Sequence, residues 1–151
     1  MDITNQIQTH TLNHLLNNEE YCRRVIPFLK KEYFDKSHKV VFDLMVNFVG
    51  THNKLPTGKV LELELQKLTI PAEDLNSAAA LINELKTKSD IDTEYLINET
   101  EKWCKEKAVY NAIMESIQII DGKTEKGEGS IPEILSDALG HLSTKLLGTI
   151  I

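Results

Sequence analysis

The sequence predicts an all-α fold, a compact multi-helix N-terminal bundle followed by a long helical hairpin. Three observations carry that expectation. Apolar residues recur at helical spacing along nearly the whole chain. No Asn-Gly or Asp-Gly turn separates strand-like runs; Asp121-Gly122 is the one such dipeptide, and it follows a helical pattern. Residues 92–121 contain neither Pro nor Gly, so nothing interrupts a helix of about 45 Å, longer than a domain of this size needs.

The elements follow in order. Ile7, Leu12, Leu15 and Leu16 mark a first helix over Ile3–Leu16, broken by Asn17-Asn18. A second runs from Glu19 to about Ile26, where Pro27 bends or restarts the chain; Phe28, Leu29, Tyr33 and Phe34 continue the apolar set. Ser37 is the expected N-cap of a third helix, since its hydroxyl can accept from a first-turn amide. Val41, Leu44, Met45 and Phe48 then fall at i, i+3, i+4 and i+7, one buried face. A loop at 53–58 leads to a fourth helix over Val60–Leu68, with Leu61, Leu65 and Leu68 expected inward. The alternation in Leu61-Glu62-Leu63-Glu64-Leu65 has strand period, but Leu and Glu favour helix and no partner strand is in sight. Pro71 suits the first turn of a fifth helix carrying Leu75, Ala78, Ala79, Ile82 and Leu85.

The sixth helix changes character along its length. Glu99 to Lys107 is charged apart from Thr100, Trp103 and Cys104, whereas Val109, Tyr110, Ile113, Met114, Ile117, Ile119 and Ile120 are apolar. After a polar turn, Ser130-Ile131-Pro132-Glu133 reads as a capping box, with Ser130 and Glu133 exchanging side-chain and amide hydrogen bonds. The last helix presents Ile131, Ile134, Leu135, Ala138, Leu142 and Leu146. Both arms of the hairpin are apolar on one face, which calls for a covering body or a partner. The expected interface residues are Trp103, Tyr110, Ile113, Met114, Ile117, Ile131, Ile134, Leu135 and Leu139.

Composition narrows the function. The 151 residues allow one ordinary domain, and 41% hydrophobic with 26% charged residues is normal for a globular chain. A net charge of −6 repels nucleic-acid phosphate on average. No secretory leader and no membrane span are expected, and the two distant cysteines, Cys22 and Cys104, read as reduced cytosolic thiols that pack rather than react. No catalytic, cofactor or metal site emerges. Gly58-Lys59 fails as a P-loop, because its distance from Gly50 is too long and Val60 stands where the magnesium-binding hydroxyl belongs. His10 and His14 share a helix face but lack a third ligand and a general base. The carboxylates fall on solvent-facing helix positions, and no Gly-x-Ser-x-Gly occurs.

Two segments carry a resemblance. From Asn5 to Leu68 the chain has Leu12-x-x-Leu15-Leu16, Glu32-Tyr33-Phe34, His38-Lys39-Val40-Val41-Phe42 and Leu55-Pro56. From Tyr95 to Leu139 it has Glu99-Thr100-Glu101-Lys102-Trp103, Lys107 through Ala112, and Ile131 through Leu139. In order and spacing these resemble the N-terminal (collar) domain of DnaB-type replicative DNA helicases, in particular those of T-even-type bacteriophages. The chain departs from the family in lacking the Gly that often follows the first-helix leucine, and in the charged run ahead of Trp103.

The resemblance implies a non-enzymatic part of an ATP-dependent DNA helicase. It would be a domain that oligomerises, as a hexamer in the full-length family, and docks primase, meeting DNA only indirectly through the ring. It implies the bacterial host cytoplasm for a phage-encoded chain. ATP and Mg2+ would belong to a RecA-like motor domain absent from these residues, and no cofactor is expected in the chain itself. On this reading residues 1–90 form the globular bundle, 91–146 the hairpin of the same collar, and 147–151 the start of a linker, with the apolar stretch from Leu146 to Ile151 packing on a neighbour in a longer chain. A free-standing helicase-binding adaptor, such as a primase C-terminal-like domain, a helicase loader or an inhibitor, shares the same helical plan.

Overall fold

A computed structural model describes the backbone of residues 3–150 and the side chains of residues 6–140. The described chain is all-α. Seven α-helices, α1 (Ile3–Asn17), α2 (Glu19–Val25), α3 (Lys36–His52), α4 (Gly58–Gln66), α5 (Ala72–Leu85), α6 (Thr93–Ile120) and α7 (Ile131–Ile150), are joined by loops and 3-10 turns, with no strand among the described residues. Two compact units divide at Glu101 and Lys102, inside α6.

In the first unit, α1, α3 and α5 pack on one another, α4 lies against α3 and α5, and α2 against α1. The core is apolar and closed. Leu12 and Leu15 of α1, Val41 and Met45 of α3, Leu61 and Leu65 of α4, Ile82 and Leu85 of α5, and Leu96 and Ile97 of α6 are buried. The Leu-Glu alternation is helical: α4 buries Leu61 and Leu65, four apart, and leaves Leu63 in solvent. Leu68 lies past the end of α4 and is exposed, contrary to its expected inward position, because the helix stops at Gln66.

Helix α1 also buries a polar face that its apolar pattern does not reveal. Gln8, Thr11, Asn13 and His14 are all buried, and each is hydrogen-bonded, as burial of polar groups requires. Gln8 donates to the Asp35 carboxylate (3.0 Å) and accepts from the Asp35 amide (2.9 Å). Asn13 donates to the Thr87 carbonyl (2.7 Å) and accepts from the Ser89 amide (3.1 Å). The Thr100 hydroxyl lies 2.5 Å from the Tyr21 hydroxyl and 3.4 Å from that of Thr11. One helix thus pins the start of α3, the α5–α6 connection and the first turns of α6.

The helix ends refine the expected caps. Asn18 accepts from the Tyr21 amide (3.1 Å) and starts α2, so the residue that breaks the first helix also begins the second. Helix α3 begins one residue ahead of Ser37, at Lys36. Asp35 takes the cap position without a side-chain cap, its carboxylate being held by Gln8. Thr57 accepts from the Val60 amide (3.2 Å) and caps α4. The expected box at Ser130 does not form. That residue ends a 3-10 turn (Glu128–Ser130), and its hydroxyl donates back to the Gly127 carbonyl (2.7 Å).

The second unit comprises α6 from Lys102 onward, the turn at 121–130, and α7. Gly122 has φ +72°, a left-handed conformation that glycine adopts without the Cβ clash of other residues. Lys126 reaches back from the turn to Glu115 of α6 at 2.7 Å. The expectations for Leu142, Leu146 and the stretch from Leu146 to Ile151 lie outside the described side chains.

Candidate protein interface

The second half of α6 carries apolar residues on two faces. Ala112, Ser116 and Ile119 are buried, and the Ser116 hydroxyl is satisfied by the Ala112 carbonyl at 2.8 Å. Roughly a third of a turn around the helix, at about 100° per residue, Tyr110, Ile113, Met114, Ile117 and Ile120 form a second stripe at i, i+3, i+4, i+7 and i+10. These five are 57%, 46%, 39%, 44% and 62% exposed. A helix apolar over so wide an arc is ordinarily covered on both faces. Lys107 sits 5.7 Å from the Tyr110 ring centroid, a cation over an aromatic face.

Of the expected interface residues, Tyr110, Ile113, Met114 and Ile117 lie together on this stripe. Leu139 of α7 is also exposed. Ile131, Ile134 and Leu135 are half-buried, and Trp103 is buried. Ile120 extends the stripe and was legible in the sequence as the next i+3 step from Ile117.

The first unit has an apolar surface of its own. Residues of α2, the 3-10 turn that follows it and α3, among them Cys22, Ile26, Phe42, Met45, Val46 and Val49, line an open groove of about 640 Å³. Ile26, Val46 and Val49 stay substantially exposed. Burial, with Glu19 as a smaller contribution, raises the Cys22 thiol above its ordinary range, so it is no thiolate nucleophile near neutral pH.

The ring nitrogens of His14 lie 3.2 Å from the backbone carbonyls of His10 and Ile91, and the side chain is buried. No group of three or more His, Cys, Asp or Glu side chains able to hold a metal occurs among the described residues. Gly58 opens α4 where a Cβ would come within 3.0 Å of the Lys86 side chain, a packing reason for a glycine that has nothing to do with phosphate. No described helix is long and apolar enough to cross a membrane.

No protein-family model matches the chain. Over 138 residues, covering 85% of the chain, it is 27% identical to the DnaB-like replicative helicase of Enterobacteria phage T4. The aligned region covers 29% of that helicase, so this all-helical chain is similar to a DnaB-like replicative helicase while spanning less than a third of its relative's length.

Proposed function

We propose that the chain is the N-terminal oligomerisation and partner-docking domain of a hexameric replicative DNA helicase, a collar coupling helicase to primase. The observation that carries this reading is the exposed stripe of Tyr110, Ile113, Met114, Ile117 and Ile120, on a chain similar over most of its length to a DnaB-like replicative helicase. Five aliphatic or aromatic side chains along one helical face are what an interhelical interface buries. Leu139, and the half-buried Ile131, Ile134 and Leu135, extend the surface onto α7. Buried Trp103 acts in this reading from beneath the interface rather than within it. ATP and Mg2+ chemistry belongs to a motor domain outside these residues.

Sedimentation equilibrium is the test. Self-association is expected at high concentration, and Ile113→Asp is expected to abolish it while leaving the helical circular dichroism unchanged. A strict monomer, or an Ile113→Asp variant that associates like the parent, overturns the interface. A free-standing helicase-binding adaptor is the second reading, favoured by the apolar groove of the first unit as a site for another protein. A coding sequence that continues past residue 151 into a Walker A motif excludes it.

A further inference from the structure

Two stretches of helix line the apolar groove of the first unit with the same period. Glu19, Cys22, Arg23 and Ile26 face it from α2 and the turn that follows, at i, i+3, i+4 and i+7. Phe42, Met45, Val46 and Val49 face it from α3 at the same spacing. Phe42 and Met45 are buried, whereas Ile26, Val46 and Val49 stay exposed. The amides and carbonyls of these helices are paired within them, so an extended peptide laid in the groove would bury its own backbone groups unpaired. A helix arrives with those groups satisfied. The occupant that fits is a third helix, its apolar ridge set between the two walls.

The chain itself presents such a ridge, the exposed stripe of α6. The lengths match. Tyr110 to Ile120 spans about 15 Å along the helix axis, and Phe42 to Asn53, the α3 wall of the groove, about 16 Å. The charges at the margins are opposite in sign. Glu106, one turn before Tyr110, and Asp121, one turn after Ile117, close the two ends of the stripe; both are exposed and make no ion pair among the described residues. Lys107 borders the same face and lies over the Tyr110 ring. On the groove, Arg23 and Lys54 are exposed cations with no ion pair among the described residues, and Glu19 is the one lining carboxylate. Counting Glu106, Asp121 and Lys107, the margin of the stripe is −1; counting Arg23, Lys54 and Glu19, the rim of the groove is +1.

We infer that the groove between α2 and α3 receives the α6 stripe of a second copy of this chain. This rests on the reading of the stripe as a subunit interface and names the surface it meets. Docking covers two wet apolar surfaces at once, whereas a stripe-on-stripe pair covers one and leaves the groove open. The contact is apolar at its centre and charged at its rim, the arrangement of a specific protein interface. Ridge and groove are different surfaces, so the contact is head-to-tail: each chain gives one ridge and receives another. Such a contact does not end with a pair but continues into a closed ring or an open filament.

Sedimentation equilibrium of the 151-residue chain, two single variants and their equimolar mixture tests it. Val46→Glu in the groove and Ile113→Asp in the stripe are each expected to weaken self-association about tenfold or more. Mixed, the two are expected to form a one-to-one pair and grow no further, because the Ile113→Asp chain keeps an intact groove and the Val46→Glu chain an intact stripe. Leu63→Glu, at an exposed leucine of α4 outside both surfaces, is expected to change association by no more than about twofold. Should Val46→Glu disturb folding, as read by circular dichroism, Ile26→Glu on the other wall carries the same expectation. A groove variant that associates like the parent, a mixture that stays monomeric, or an equal loss in Leu63→Glu overturns the docking. If Ile113→Asp alone abolishes association, the stripe survives as an interface that pairs with itself, and the groove is left to another protein. A parent that stays monomeric overturns the stripe and the docking together.

Discussion

Helices α3 and α6 carry the same apolar periodicity and meet opposite fates. In α3, Val41, Leu44 and Met45 repeat at i, i+3 and i+4 and are buried against neighbouring helices. In α6, Tyr110, Ile113, Met114 and Ile117 repeat at i, i+3, i+4 and i+7 and stay between 39% and 57% exposed. Periodicity therefore states that a helix has an apolar face, but not what covers it. Covering within the chain makes a core; covering by a second molecule makes an interface.

The largest effect should separate these two kinds of stripe. Leu65→Ala removes a fully buried side chain from the first unit and is expected to cost about 2–5 kcal/mol in urea unfolding, the transfer loss plus the cavity left behind. Ile117→Ala is expected to change the stability of the dilute monomer by no more than about 0.5 kcal/mol while weakening self-association. Similar unfolding costs for the two would mean that the α6 stripe is core, and the contrast would collapse.

How much could be read beforehand divides along the same line. The all-α class, the order of the helices and the long sixth helix were legible, because they follow from spacing and from where Pro and Gly fall. The polar face of α1 was not. Gln8, Asn13 and His14 look like solvent-facing residues until their partners at Asp35, Thr87, Ser89 and Ile91 are known, and those partners lie up to 77 residues away. The same holds for the caps. Ser37 is the expected cap of α3, but the helix starts one residue earlier, and the carboxylate of Asp35 at the cap position is taken by Gln8 from α1. For the exposed stripe of α6, the shared face of its four residues follows from period alone. The burial of Trp103 does not, since a tryptophan in a charged run reads equally well as an anchor or as a packed residue.

Thr100 tests that hidden polar layer. Its hydroxyl, buried between Tyr21 and Thr11, is lost in Thr100→Val at nearly constant volume. An expected cost of about 1–3 kcal/mol follows from disrupting buried hydrogen bonds. Combining it with Tyr21→Phe should cost less than the sum of the single changes, because both remove the same contact. Strict additivity in thermal or urea unfolding would show that the hydroxyls are not coupled, leaving α1 to pin α6 by apolar contact alone.

The smallest effect concerns pH and the same α1–α3 junction. His38 of α3 lies 2.9 Å, through Nε2, from the Thr9 hydroxyl of α1. Burial disfavours its imidazolium and outweighs the opposing pull of the Asp35 and Glu84 carboxylates, so its pKa lies below the ordinary 6.5. Below pH 6.5 the unfolded chain therefore takes up a proton before the folded one does. Stability contributed by neutral His38 is complete above that pH and is lost as pH falls toward the folded value. Urea midpoints measured from pH 7.5 to 5.5 should decline more steeply for the parent than for His38→Gln, the difference between the two curves isolating this residue from the other titrating groups. Ile113, Met114, Ile117 and Ile120 of the α6 stripe carry no ionisable group, so association through them should show no matching difference between the two proteins. Parallel stability curves would remove His38 from the junction. A difference that appeared in association instead would tie the first unit's packing to the α6 surface.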